Sequence, residues 1–302
     1  MEERMRILNM LKEGKINSED AARLLDALEE KQKESKHRHF IFQRPFGSAI
    51  GSGFQKHLMR DLENIPEIVS KAVSDCCSVA VDKVMETDEQ TEQKFPLKDT
   101  IAIRSVSGDI EIEGDEKHNE IVLECCGGIQ KNEELEKELI FNTLSSDLVV
   151  KTPVKVNVKA ATVSGDVEIK NINGEIKCES VSGDCQAKNI AGKLSVKAVS
   201  GDIEIKEMAG DTNIKTASGD IDVALVEFND VNIESKSGDI TIGLSDKTDA
   251  ILELESEEGE IEISIKSKYE KIEEKQGYVK IGLGNKSHTL YAKTYSGDIK
   301  IM

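Results

Sequence analysis

The tripeptide Ser-Gly-Asp begins at Ser107, Ser164, Ser182, Ser200, Ser218, Ser237 and Ser296. Carboxylates set beside glycines at fixed intervals can do two kinds of chemistry. Stacked Gly-Asp corners hold Ca²⁺ in nonapeptide β-rolls. Alternatively, glycine supplies the left-handed backbone of a tight turn, and the flanking Ser and Asp bond the local chain. The calcium consensus GGxGxDxUx needs more glycines than stand here. Alternate turns read Asn173-Gly174-Glu175 and Ala191-Gly192-Lys193, and a lysine at a cation corner opposes the ion. The expectation is turn chemistry, with no metal and no cofactor. It covers Gly108, Asp109, Gly165, Asp166, Gly183, Asp184, Gly201, Asp202, Gly219, Asp220, Gly238, Asp239, Gly297 and Asp298.

Two other residue groups could carry chemistry. Six cysteines (Cys76, Cys77, Cys125, Cys126, Cys178, Cys185) include two vicinal pairs. Structural zinc sites use wider spacing, such as C-x2-C, and vicinal cysteines on a strand face opposite ways. They read as reduced, buried thiols. Residues 31–60 hold seven basic side chains, Lys31, Lys33, Lys36, Arg38, Arg44, Lys56 and Arg60, against the single acid Glu34. The same stretch holds Phe40, Phe42, Phe46 and Phe54, four of the seven phenylalanines. Basic residues interleaved with Phe can adsorb to an anionic membrane. The blander reading is a linker whose phenylalanines tuck onto a neighbouring domain. No recognition motif accompanies the patch, so nucleic acid is not expected.

The chain has 302 residues, enough for about two domains. Its net charge of −18 opposes nucleic-acid binding by the surface as a whole. No apolar run approaches the ~20 residues of a membrane-spanning helix. The acidic N-terminus lacks the basic start and apolar stretch of a signal peptide. These features favour the cytoplasm.

The elements that must position the carboxylates follow from periodicity. From Ser164 the tripeptides step by 18, 18, 18 and 19 residues, and a second turn falls about nine residues after each first one. Fixed periods of this kind mean stacked units that bury one another's apolar columns. Expected columns are Val167, Cys185, Ile203, Ile221; Ile169, Ala187, Ile205, Val223; Ile172, Ile190, Met208; Cys178, Val196, Ile214, Ile233; and Val163, Val181, Val199, Ala217. The predicted fold is mainly β: a right-handed β-solenoid of about 18 residues per coil, preceded by an α-helical region. Residues 1–30 read as a helical hairpin. Residues 31–95 hold the basic, Phe-rich linker, an amphipathic helix over 61–87 and a polar linker over 85–94. Residues 96–302 form the solenoid. Residues 110–160 look irregular, with a short helix or long turn over 131–139. The strand before Met302 is a candidate edge for self-association.

The segment MEERMRILNMLKEGKINSEDAARLLDALEE resembles the SHOCT-like helical segment that opens YvlB/LiaX-like proteins of Gram-positive bacteria. The repeated SGDIxI strands resemble the adhesin-type β-strand repeat domain of the same group. The resemblance covers residues 1–30 and about 100–302. It implies a link to cell-envelope stress and antimicrobial-peptide resistance, and carries over no catalytic residue. It also points toward the envelope, and attachment at the inner membrane face would reconcile that with a cytoplasmic chain; the cell surface is the alternative.

Three functions are in view. One is a non-catalytic scaffold or sensor that binds cationic peptides or a protein partner. Another is a self-assembling or adhesive solenoid. The third is a carbohydrate-active β-helix enzyme, which needs converging carboxylates and aromatic platforms. Its carboxylates instead follow the repeat, and residues 96–250 contain only Phe141 and Phe228.

Overall fold

A computed structural model describes residues 91–126, 131–143 and 145–302. The readings for residues 1–90 lie outside the described residues. In the described part the strands form two faces, A and B, that close on one hydrophobic core. Four long strands supply both faces: β9 (Val167–Ser182), β10 (Cys185–Ser200), β11 (Ile203–Ser218) and β12 (Ile221–Ser237). Each bends midway, so its first half lies on face A and its second half on face B. They pair in parallel, each residue with its equivalent one coil away, such as Cys185 with Val167 and Ile203. This is the β-solenoid that the period predicts.

The bends of β9, β10 and β11 use backbone that L-residues rarely adopt. Asn171, Asn189 and Glu207 have φ of 57°, 53° and 57°. Asn tolerates this region better than most residues, and the Asn189 side-chain amide donates to Asn171 Oδ1 at 2.8 Å. The second turn is therefore a bend inside a continuous strand, not a break between two strands.

The order of the coils departs from the order of the chain at both ends. β2 (Thr100–Ser107) and β3 (Ile110–Gly114) form an arch through Gly108. A second arch joins β6 (Glu138–Thr143) to β7 (Asp147–Thr152). β8 (Asn157–Ser164) leads through Gly165 into β9. The 108 arch lies between the other two, since β2 pairs with both β6 and β8. At the far end, β13 (Ile240–Leu244) follows β12 on face A. β18 (His288–Ser296) and β19 (Ile299–Ile301) form the next layer, and β14 (Ala250–Ser256) and β15 (Ile261–Ile263) lie beyond them.

Among the described residues, antiparallel strands close three of the four sheet margins. β1 (Thr91–Phe95) and β4 (Ile121–Cys126) cover β7, and β5 (Lys131–Glu134) covers β6. β16 (Tyr269–Lys275) and β17 (Tyr278–Leu283) cover β14. The outermost of these carry charge, as in Tyr269-Glu-Lys-Ile-Glu-Glu-Lys275, which resists edge-to-edge pairing.

Four expectations are corrected. The described residues of 110–160 are largely strand, because these strands join the stack through pairings distant in sequence. The 131–139 segment is the β5–β6 hairpin, with Lys131 opposite Asn142 and Glu134 opposite Leu139. The end of the polar run at 85–94 is already strand β1. It is anchored by Phe95, whose ring packs on Phe141 at 5.1 Å. The strand before Met302 is interior, since β19 pairs with both β13 and β15.

Four of the five expected columns are buried. The fifth (Val163, Val181, Val199, Ala217) is only half-buried and points outward. The inward position is one residue earlier, where a row of hydroxyls interrupted only by Ala198 runs Thr143, Ser105, Thr162, Ser180, Ala198, Thr216, Ser235, Thr294, Ser256. All are at most 1 % exposed. Ser180 Oγ donates to Gly183 O at 3.4 Å, Ser235 Oγ to Ser237 O at 3.2 Å, and Ser256 Oγ to Gly297 O at 2.8 Å. Ser105, Thr216 and Thr294 donate to carbonyls likewise, so small hydroxyl residues suit a corner that leaves carbonyls turned inward.

The corner glycines obey two constraints together. Gly201 has φ of 120°, and a Cβ built on it would stand 2.2 Å from the Gly183 carbonyl oxygen. Gly201→Ala is expected to cost about 2–4 kcal/mol, combining left-handed strain with backbone displacement. Urea denaturation of the folded chain measures it. A loss under 1 kcal/mol would show that the coils can separate freely at the corner.

Candidate functional site

The Ser-Gly-Asp corners stack into one column. Each glycine sits over the preceding corner in the order Ser146, Gly108, Gly165, Gly183, Gly201, Gly219, Gly238, Gly297, Gly259. The aspartates stack with them. Asp109 N–H donates to Asp147 Oδ1 at 2.9 Å, Asp166 N–H to Asp109 Oδ1 at 2.9 Å, and Asp184 N–H to Asp166 Oδ1 at 2.8 Å. The row continues through Asp202, Asp220, Asp239 and Asp298 at 2.8–2.9 Å, and ends where Glu260 N–H donates to Asp298 Oδ1 at 2.8 Å. Every predicted corner residue is thus brought into a single ladder.

The ladder explains why Asp recurs. A parallel strand pair cannot bond every N–H at a sharp corner, and a short side-chain acceptor one coil away satisfies the donor left over. One carboxylate oxygen of each Asp is committed to this task. The side chains are mostly exposed, so their charge faces solvent. Beside the middle corners lies a shallow groove of about 440 Å³, bordered by Asp184, Asp202, Asp220, Asp239, Glu204 and Asp222. No basic side chain lines it. Lysines appear further along face A, where Lys170 pairs with Glu168 at 2.8 Å and Glu111 at 3.2 Å, and Lys206 with Glu204 at 2.6 Å.

Among the described residues no group of three or more His, Cys, Asp or Glu side chains is placed to hold a metal ion. Cys125, Cys178 and Cys185 are buried in the core. Cys178 and Cys185 face each other with sulfurs 3.4 Å apart. The contact with Cys185, together with burial, pushes the Cys178 thiol well above its ordinary pKa. A larger cleft of about 620 Å³, bordered by Val226, Phe228, Lys247, Asp249 and His288, opens where β12 loses register with β11. Phe228 stacks near His288 at 6.2 Å but is only 9 % exposed, so it offers little of a sugar platform.

Sequence reasoning missed both ends of the ladder. Asp147 sits in Ser145-Ser146-Asp147, and the Ser-x-Asp pattern with Ser in place of Gly was the available signal. Glu260 closes Glu258-Gly259-Glu260, where glutamates stand in place of the serine and the aspartate. The proposed docking residues Lys31, Lys33, Lys36, Arg38, Phe40, Phe42, Arg44, Phe46, Phe54, Lys56 and Arg60 lie outside the described residues.

A β-solenoid built on stacked Gly-Asp corners is the class that this architecture defines. The chain belongs to the Toastrack DUF4097 family, which matches residues 89–302, and a SHOCT-like domain matches residues 2–33. No curated protein matches the chain. Among solved structures, a proposed adhesin from Bacteroides fragilis is 13 % identical, with a TM-score of 0.38, covering 72 % of this chain and 99 % of its own. A proposed cell adhesion protein from Clostridium sporogenes is 14 % identical, with a TM-score of 0.34, covering 70 % and 99 %.

The ladder separates two properties of Asp, acceptor and charge. Asp202→Asn keeps an acceptor for the Asp220 N–H and is expected to change stability by less than about 0.5 kcal/mol. Asp202→Ala removes it and is expected to cost about 1 kcal/mol. Equal losses in urea denaturation would mean that the 2.8 Å bond contributes nothing to the corner.

Proposed function

We propose that this protein is a non-catalytic β-solenoid scaffold whose acidic corner face binds cationic peptides or a basic protein partner. The observation that carries the reading is the unbroken row of carboxylates from Asp147 to Asp298, each fixed by one oxygen and left charged toward solvent. A row of like charges held on rigid backbone attracts cations over a distance set by salt, about 8 Å at physiological ionic strength. The carboxylates run along the stack and do not converge, which favours a binding surface over a hydrolytic centre. The resemblance of the N-terminal segment and the repeats to YvlB/LiaX-like proteins supports a place in an envelope-stress response.

The test uses a deca-lysine peptide and the full chain. Binding is expected at low salt and is expected to weaken about tenfold or more at high salt. Asp184, Asp202, Asp220 and Asp239 changed together to Asn should lower affinity by a similar factor while preserving the melting transition. Wild-type affinity in that variant would remove the corner face as the binding surface.

Residues 31–60 support a second part of the proposal, peripheral attachment of a cytoplasmic chain to an anionic membrane, at about 1 kcal/mol for each basic residue near the surface. The full chain should co-sediment with anionic vesicles and not with neutral ones. Replacing Phe40, Phe42, Phe46 and Phe54 by Ser should release it. Sedimentation with neither vesicle would return this segment to the role of a linker.

A further inference from the structure

Among the described residues, the C-terminal end of the solenoid is closed on one face and open on the other. On face B the β16–β17 hairpin covers β14. On face A the margin is β15, whose one strand partner among the described residues is β19. The bonds to β19 use Glu260 O, which accepts from Ile299 N–H at 2.9 Å, and Ser264 N–H, which donates to Ile301 O at 2.7 Å. Backbone groups alternate in direction along a strand. The N–H and C=O groups of Ile261, Ile263 and Ile265 therefore point away from β19, off the margin. Their side chains pack partly against the core, so the inward face of an added strand is already defined.

The outward-facing residues run Glu260 and Glu262 along β15, then Ser264 and Lys266 up to where the chain bends. Acid gives way to base along this run, and such a gradient is complementary to itself when reversed. Glu260 and Lys266 are exposed, and no ion pair engages either among the described residues. The margin has no proline, no bulge and no inward charge, the devices that normally protect a free edge.

We propose that β15 pairs antiparallel with β15 of a second copy of this chain, about a two-fold axis at Ile263. In that register Ile263 exchanges both backbone bonds with its counterpart, and Ile261 does so with Ile265 of the second copy. Glu260 stands across from Lys266 of the second copy, and Glu262 across from Ser264. Sliding by one step to bring Glu262 against Glu262 sets like charges opposite one another, which disfavours that register. The two face A margins then meet tail to tail, at an angle that leaves room for the β16–β17 hairpins on face B. A two-fold contact closes on itself, so it yields a dimer and not a filament. The paired run is short, and its area falls below the roughly 1,200–2,000 Å² of a stable interface, so the dimer forms at micromolar concentration or above.

Sedimentation velocity of the full chain across the micromolar range tests this. A concentration-dependent dimer is expected. Lys266→Glu should weaken it about tenfold, since two symmetric cross-strand pairs turn repulsive at once. Adding Glu260→Lys to that variant should restore it. Ile263→Pro removes an outward N–H that β19 does not use and should abolish the dimer; circular dichroism confirms that the fold survives, and the charge swap stands independently if it does not. A chain that stays monomeric throughout overturns the proposal. So does a dimer insensitive to the charge swap, which would place the interface elsewhere.

Discussion

A carbonyl oxygen stands 2.1–2.5 Å from where a Cβ would be at each of the seven Ser-Gly-Asp glycines. No side chain fits there, and neighbouring coils can approach this closely only if every layer stacked on the Ser146 corner keeps glycine at the same place. The rest of the stack depends on that approach. It brings each Asp within reach of the next backbone N–H, turns the corner carbonyls toward the buried Ser and Thr row, and aligns the apolar columns at strand spacing. A corner held open by one methyl group would loosen all three at once. Glycine, aspartate and the inner hydroxyl thus recur as a set because they solve one geometric problem.

The same problem shaped what could be read from the sequence. Where the coils follow the chain, from Ser164 to Ser237, the period exposed the columns, the corners and the buried Cys178 and Cys185. Where space and sequence part company, periodicity was silent. The arch through Asp147 carries serine instead of glycine and lies outside the 108 arch, so nothing in its spacing marked it. The hydroxyl row was hidden by composition, since Ser and Thr near a turn look solvent-facing, while the adjacent Val163, Val181 and Val199 look like core. The β5–β6 hairpin was obscured by its charged run, which suits an outermost strand. As for the candidate face, its members were legible but their joining was not, because a bond between Asp166 and Asp109 spans 57 residues.

The carboxylate row is structural and electrostatic at the same time, which has a bearing on how such a surface can change. Glycine is confined by space and strain. Aspartate is confined only by its acceptor oxygen, which asparagine also supplies. The charge of the face can therefore vary with little effect on the fold, so a chain of this architecture can carry a strongly acidic corner or a neutral one on the same backbone. The charged outer strands at three margins restrain indiscriminate stacking, so that growth of the sheet is left to the one margin whose charges match themselves.

The swapped order of the last layers has a consequence for the living chain. Residues 250–263 leave the ribosome before residues 288–301, yet in the finished stack the later segment lies beneath the earlier one, against β12 and β13. The layer nearest the finished coils does not exist while the outer one is being made. Until synthesis passes residue 301, β14 and β15 have no native neighbour on the solenoid side, and the bonding edges of β12 and β13 stand open. The repeats from 164 to 237 can order as they emerge; the terminal layers must wait and close together.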